Sequence, residues 1–168
     1  MQDKIVIGID PGSIFCGYGV VKKESGTTTY ITAGQIVMPK KQPLAIRLKY
    51  LFEGLNEILY TYQPDEAVIE KIFFAKGIKS ALQLGHARGV AMLTASMQDI
   101  PVIEYSALEI KQAVSGYGHA DKKQVQHMVK AILEIDLNLS FDASDALAMA
   151  LCHSHTMNYK IHTPLVWS

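Results

Sequence analysis

Four acidic residues stand at the edges of apolar runs: Asp10 closes KIVIGID, Glu70 closes EAVIE, and Asp142 and Asp145 open DASDALAMALC. Each has an ordinary reading. Asp10 precedes Pro-Gly and fits a strand-closing turn. Glu70 fits a surface acid, and Asp142 and Asp145 fit first-turn acids that satisfy backbone N–H groups and complement a helix dipole. Together they point elsewhere, because four carboxylates near one sheet edge repel each other unless a cation lies between them. A hard divalent cation such as Mg2+ takes oxygen ligands and keeps positions for water and phosphate. Two such ions about 3.5–4 Å apart activate a water and steady the leaving oxygen in in-line attack at phosphorus.

Histidine and cysteine offer weaker constellations. In the CHSH run, His153 lies about 16 Å along a helix from Asp142, too far to share its ion, and reads with His155 as a helix C-terminal turn. Cys16 and Cys152 sit in apolar surroundings without metal-ligand spacing and read as reduced core residues.

The elements that must position the acids follow from periodicity and turn signals. Strands are expected over Lys4–Asp10, from Cys16 in CGYGVVKKE and from Thr28 in TTYITAGQIVM, joined by short turns into an antiparallel meander. Leu44, Leu48, Leu51, Leu55 and Leu59 mark an amphipathic helix over 43–62. A strand over EAVIE, a helix over 78–97, a strand over PVIEY and helices over 106–115, 121–134 and 140–158 complete the chain. This order predicts an α/β fold, a mixed sheet flanked by helices. If the first, fourth and fifth strands form its parallel centre, Asp10 and Glu70 become neighbours. In the helix over 78–97, Ala81, Gly85 and Gly89 form a small-residue ridge. Each interior Gly costs about 1 kcal/mol against Ala, so close packing against that ridge is expected.

At 168 residues, 49% hydrophobic and 19% charged, the chain fits one globular domain. No apolar run reaches the roughly 18–20 residues of a membrane span, and the start has no signal-peptide pattern, so a cytoplasmic protein is expected. Sixteen basic residues balance sixteen acidic ones, so any nucleic-acid contact needs a local basic surface.

With the four acids in place, the sequence closely resembles the RuvC family of bacterial crossover junction endodeoxyribonucleases. The matching stretches are GIDPGSIFCGYGVV, RLKYLFEGL, YQPDEAVIEKIFFAKGIKSALQLGHARGVAM, KKQVQHM with VKAIL, and DASDALAMALCHSH, covering about residues 5–155. The resemblance implies an RNase H-like fold with a five-stranded mixed sheet, an antiparallel meander plus two parallel strands. It implies a homodimer that cuts two strands of like polarity at a four-way (Holliday) DNA junction, leaving 5′-phosphate and 3′-hydroxyl ends, in recombination and repair.

It assigns the catalytic, metal-binding tetrad to Asp10, Glu70, Asp142 and Asp145, with two Mg2+ ions and Mn2+ as a substitute. Phe73, beside Phe74 in the loop after Glu70, is implied as an aromatic that touches junction bases. Lys111 and Lys122 match basic residues near the scissile phosphate. Lys76, Lys79 and Arg88 are further DNA-contact candidates, and the RuvA and RuvB branch-migration machinery is the implied partner. Lys71 departs from the glutamine expected of many relatives. Residues 1–158 then form one resolvase domain and 159–168 a tail without a family counterpart.

Two other classes compete. GIDPGSIFCGYGVV also looks like the first phosphate loop of sugar-kinase and actin-type ATPases, but those need a second duplicated domain that this chain is too short to hold. A junction-binding module that shapes DNA without cutting it is the other, and the intact tetrad argues against it.

Overall fold

The computed structural model describes residues 3–71 and 77–157. Its elements are β1 (Lys4–Pro11), β2 (Phe15–Glu24), β3 (Thr27–Val37), α1 (Leu44–Tyr62), β4 (Glu66–Glu70), α2 (Ile78–Ser96), β5 (Val102–Tyr105), α3 (Ala107–Ser115), α4 (Lys122–Leu133) and α5 (Phe141–Thr156). The expected elements all form, with ends displaced by one or two residues.

The strands make one sheet in the order β3-β2-β1-β4-β5. β1, β2 and β3 pair antiparallel as the meander, while β1–β4 and β4–β5 pair parallel. Side chains alternate across a strand, so the two faces of β1 belong to different layers. Ile7 and Ile9 pack with α1 and α2, whereas Val6 packs with α3, α4 and α5. The molecule is thus a sheet between two helical layers. In α4, Val125, Val129 and Leu133 recur on the buried face, each contributing about 1.5–3 kcal/mol by leaving water.

The central helix α5 lies directly on β1 and β2 because the strand residues beneath it have no side chains. A Cβ on Gly8 would stand 1.8 Å from the Ala146 carbonyl oxygen, and one on Gly17 would stand 2.1 Å from that of Asp142. These are backbone atoms and cannot rotate aside. Within the chain, the close approach is therefore found in the sheet and not at the α2 ridge. Among the described residues a Cβ on Gly85 or Gly89 would meet no packed neighbour within 4 Å, and the buried face of α2 is its Ala87, Ala91, Ala95 stripe. The glycine ridge faces outward, beside the exposed Leu82, Leu93 and Met97.

Candidate active site

The carboxyl ends of β1 and β4 carry the first two acids. Parallel pairing sets Ile9 beside Ile69, so Asp10 and Glu70 follow side by side. Both project to the α5 face, in phase with Val6 and Val68. Pro11 still pairs with Cys16, and the chain turns over residues 12–14. Arg47 of α1 anchors that turn by donating to the Ser13 carbonyl at 2.8 Å.

The other two acids come from the first turns of α5. Ser140, not an aspartate, caps this helix, its hydroxyl accepting from the Ala143 N–H at 3.2 Å. Both carboxylates are thereby left to other partners. Asp145 accepts from Lys122 Nζ at 3.1 Å. Asp142 accepts from the side-chain amide of Gln35 at 2.5 Å.

Asp10, Glu70, Asp145, Lys111 and Lys122 line one cleft of about 280 Å³, whose apolar wall includes Ile110, Val125 and Met149. Burial, followed by the charges of Asp145, Asp142 and Glu70, raises the Asp10 pKa from 3.8 to about 7, with Lys122 opposing. Burial and the Asp145 charge also raise Glu70, against Lys111, Lys122 and Arg88. Asp145 is raised chiefly by burial and held back by Lys122. Lys122, at the start of α4 and 67% exposed in its side chain, has its pKa raised mainly by the hydrogen bond to Asp145. The cleft therefore concentrates more negative charge than its two lysines neutralise.

As placed, no three His, Cys, Asp or Glu side chains among the described residues stand close enough to share one ion. Asp142 and Asp145 are engaged by Gln35 and Lys122. The donor chemistry nonetheless suits a hard divalent cation: every converging acid offers oxygen, and such a cation would offset both the burial that chiefly raises Asp10 and the repulsion that adds to it.

The remaining sequence candidates are distributed differently. Arg88 is turned inward, its side chain 11% exposed, donating to the Glu70 carbonyl at 2.5 Å and pairing with Glu104 of β5. It braces the end of β4 instead of pointing into solvent. The backbone of Lys79 lies in the first turn of α2. Phe73, Phe74 and Lys76 lie outside the described residues, as does the tail over 159–168. Lys71 is exposed.

His153 belongs to the opposite end of the sheet. Its Nε2 lies 2.6 Å from Glu66, at the start of β4, and its Nδ1 lies 2.8 Å from the Tyr105 hydroxyl. Cys16 and Cys152 are buried and free.

Acidic side chains at the carboxyl ends of adjacent parallel strands, faced by acids of a helix laid across the same sheet, are an arrangement suited to metal-assisted phosphodiester hydrolysis, the chemistry of a nuclease. Residues 6–153 match the family described as crossover junction endodeoxyribonuclease RuvC. The chain is 51% identical over 152 residues to the RuvC of Saccharophagus degradans, covering 90% of this chain and 88% of the relative. It is 49% identical to the Shewanella sediminis protein, covering 90% and 87%. Among solved structures, Thermus thermophilus RuvC in complex with a Holliday junction substrate superposes with a TM-score of 0.87 at 30% identity, covering 96% of this chain and 99% of that one. The yeast mitochondrial Holliday junction resolvase, at 11% identity and a TM-score of 0.65, shares the fold. The chain belongs to the RuvC family and is a Holliday-junction-resolving endodeoxyribonuclease. Among the described residues no helix is long and apolar enough to cross a membrane.

Proposed function

We propose that Asp10, Glu70, Asp142 and Asp145 are the metal-binding catalytic acids of this resolvase, holding two Mg2+ ions, with Mn2+ able to substitute. The observation that supports this best is the raised Asp10: a strand-end carboxylate that is buried and also crowded by three other acids is one whose anion a nearby cation would stabilise. When bound, the ions supply an activated water and stabilise the departing 3′ oxygen. The chain's own residues do the rest.

Asp10 and Glu70, fixed by the β1–β4 pairing, hold one side of the cleft, while Asp142 and Asp145 approach from α5. Lys122 moves from Asp145 to the scissile phosphate, a motion its exposed stem allows. Lys111 meets the same phosphate from α3, and both lysines offset charge that builds up in the transition state. Breakage on the 3′ side leaves a 5′ phosphate and a 3′ hydroxyl that a ligase can join. Arg88 keeps Glu70 in place through its carbonyl. Phe73, Lys76 and Lys79 are proposed to touch junction DNA from the segment following Glu70.

A two-fold dimer formed by the outward face of α2 presents two such clefts to strands of like polarity. Gly85 and Gly89 allow close helix approach, and Leu82, Leu93 and Met97 supply the apolar rim. Residues 1–158 act as the resolvase domain, with 159–168 as a tail, and RuvA and RuvB are the proposed partners.

The experiment is a gel assay on a synthetic four-way junction with and without Mg2+. Paired nicks of like polarity in Mg2+, none in EDTA, and binding without cutting by Asp10→Asn are expected. Full cleavage by Asp10→Asn in Mg2+ would overturn the assignment. Binding without any cleavage by the parent protein would make it a junction-shaping module.

A further inference from the structure

One row of residues crosses four strands beneath the start of α5. Glu70 of β4 and Asp10 of β1 are followed by Gly17, which pairs with Asp10, and by Gln35 of β3, which pairs with Gly17. Gly17 leaves a gap that the Asp142 backbone fills. The Asp142 carboxylate consequently lies against Gln35, while its charge still reaches Asp10.

We infer that Gln35 is a positioning residue of the acidic site: its side-chain amide holds Oδ2 of Asp142, leaving Oδ1 as the oxygen presented to a divalent cation. The inference rests on the reading of Asp142 as a metal ligand. A freely rotating aspartate on a first helical turn samples several orientations, and a donor fixed in a sheet selects one. Carboxylates that ligate metals are themselves held by outer hydrogen bonds, whose loss typically costs about 10–100-fold in metal affinity or activity. Gln35 is neutral, so it orients Asp142 without cancelling the charge the cation needs. Lys122, by contrast, brings a positive charge to Asp145.

The test measures Mn2+ binding to the full chain without DNA, by electron paramagnetic resonance, for the parent, Gln35→Met, Gln35→Asn, Asp142→Asn and the Gln35→Met/Asp142→Asn pair. Met matches the length of Gln without a donor, and Asn keeps the amide but falls one methylene short. Thermal melting verifies folding, and Asn stands in if Met does not fold. About tenfold or greater weakening is expected for each single variant, with the pair no weaker than Asp142→Asn alone because Gln35 acts only through Asp142. In cleavage, Gln35→Met should raise the Mg2+ concentration for half-maximal rate, and saturating Mg2+ should recover most of the rate.

Unchanged or tighter Mn2+ binding by the folded Gln35 variants overturns the inference, and so do effects that multiply in the pair. Unchanged binding by Asp142→Asn instead overturns the underlying reading of the acidic site, and the Gln35 inference with it.

Discussion

Replacing Asp10 by Asn should make the protein more stable in the absence of divalent cations while abolishing cleavage. Raising a carboxyl from 3.8 to about 7 on folding corresponds to about 4 kcal/mol of disfavoured charge at pH 8. Part of this relaxes when the neighbouring acids rotate, so a gain of about 2–4 kcal/mol is expected. For a domain of this length, about 1 kcal/mol moves the melting temperature by about 2–4 °C, which predicts an increase of roughly 4–16 °C.

The sign follows from proton binding. Between about pH 4 and 7 the folded protein holds a proton on Asp10 that the unfolded chain has released, so parental stability falls as pH rises through that window. The Asn variant lacks this contribution. Its advantage should be absent at pH 4, grow up to about pH 7 and then level off. Saturating Mg2+ should shrink it, because binding stabilises the parent selectively. The assay is a set of melting curves in EDTA and in Mg2+ across this pH range. An Asn variant that melts with or below the parent at pH 8 in EDTA would refute the reasoning, since Asp10 would then be stabilised as an anion by the protein alone.

Gly8→Ala should lose about 1–3 kcal/mol or more, seen as a lower melting temperature, since its Cβ meets the Ala146 carbonyl and must push α5 off the sheet. Junction cleavage at temperatures where the variant remains folded should fall further than stability explains, because α5 carries two of the acids. Lys122→Ala removes one of the cations that hold these acids down, the main one for Asp145 and one beside Lys111 for Glu70, so the acid limb of the cleavage pH profile should move to higher pH. Its maximal single-turnover rate should drop on the order of 10²-fold with modest loss of junction binding. Gly89→Leu should sediment as a monomer with unchanged monomer stability, since among the described residues an added Cβ meets no packed neighbour within 4 Å. A dimer with unchanged stability would refute the α2 interface.

The placement of Asp10 beside Glu70 was legible because period-2 alternation and parallel order together put two strand-end acids side by side. The position of Asp142 and Asp145 at the start of one helix was legible because three-residue spacing before an apolar run marks a first turn. Gln35 was not legible, and the reason is local. A bulge between Val20 and Val21 shifts the register of β3, so Tyr30 and Ala33, three apart, both reach the α5 layer. Alternation counted from the start of that strand then assigns Gln35 to the wrong face. Its partner lies 107 positions away, beyond any helical or strand spacing.

Within the single chain, the site of close packing was not legible for a related reason. Helical glycines at i, i+4 look like a packing ridge, but Gly17 and Gly19, alternating in a strand with Gly8 opposite Gly19, are the ones that admit a helix. Arg88 shows the limit of charge as a guide: an arginine in a DNA-binding enzyme can serve the scaffold.

The absence of side chains at Gly8 and Gly17 also bears on how this enzyme can adapt. The separation between the two halves of the cleft is a main-chain to main-chain distance, set by helix α5 resting on bare strand. Ordinary drift among buried leucines and valines can raise or lower the melting point without altering that gauge. Tolerance to heat or cold and fidelity of the cleft can therefore vary independently, as long as a few atoms remain missing.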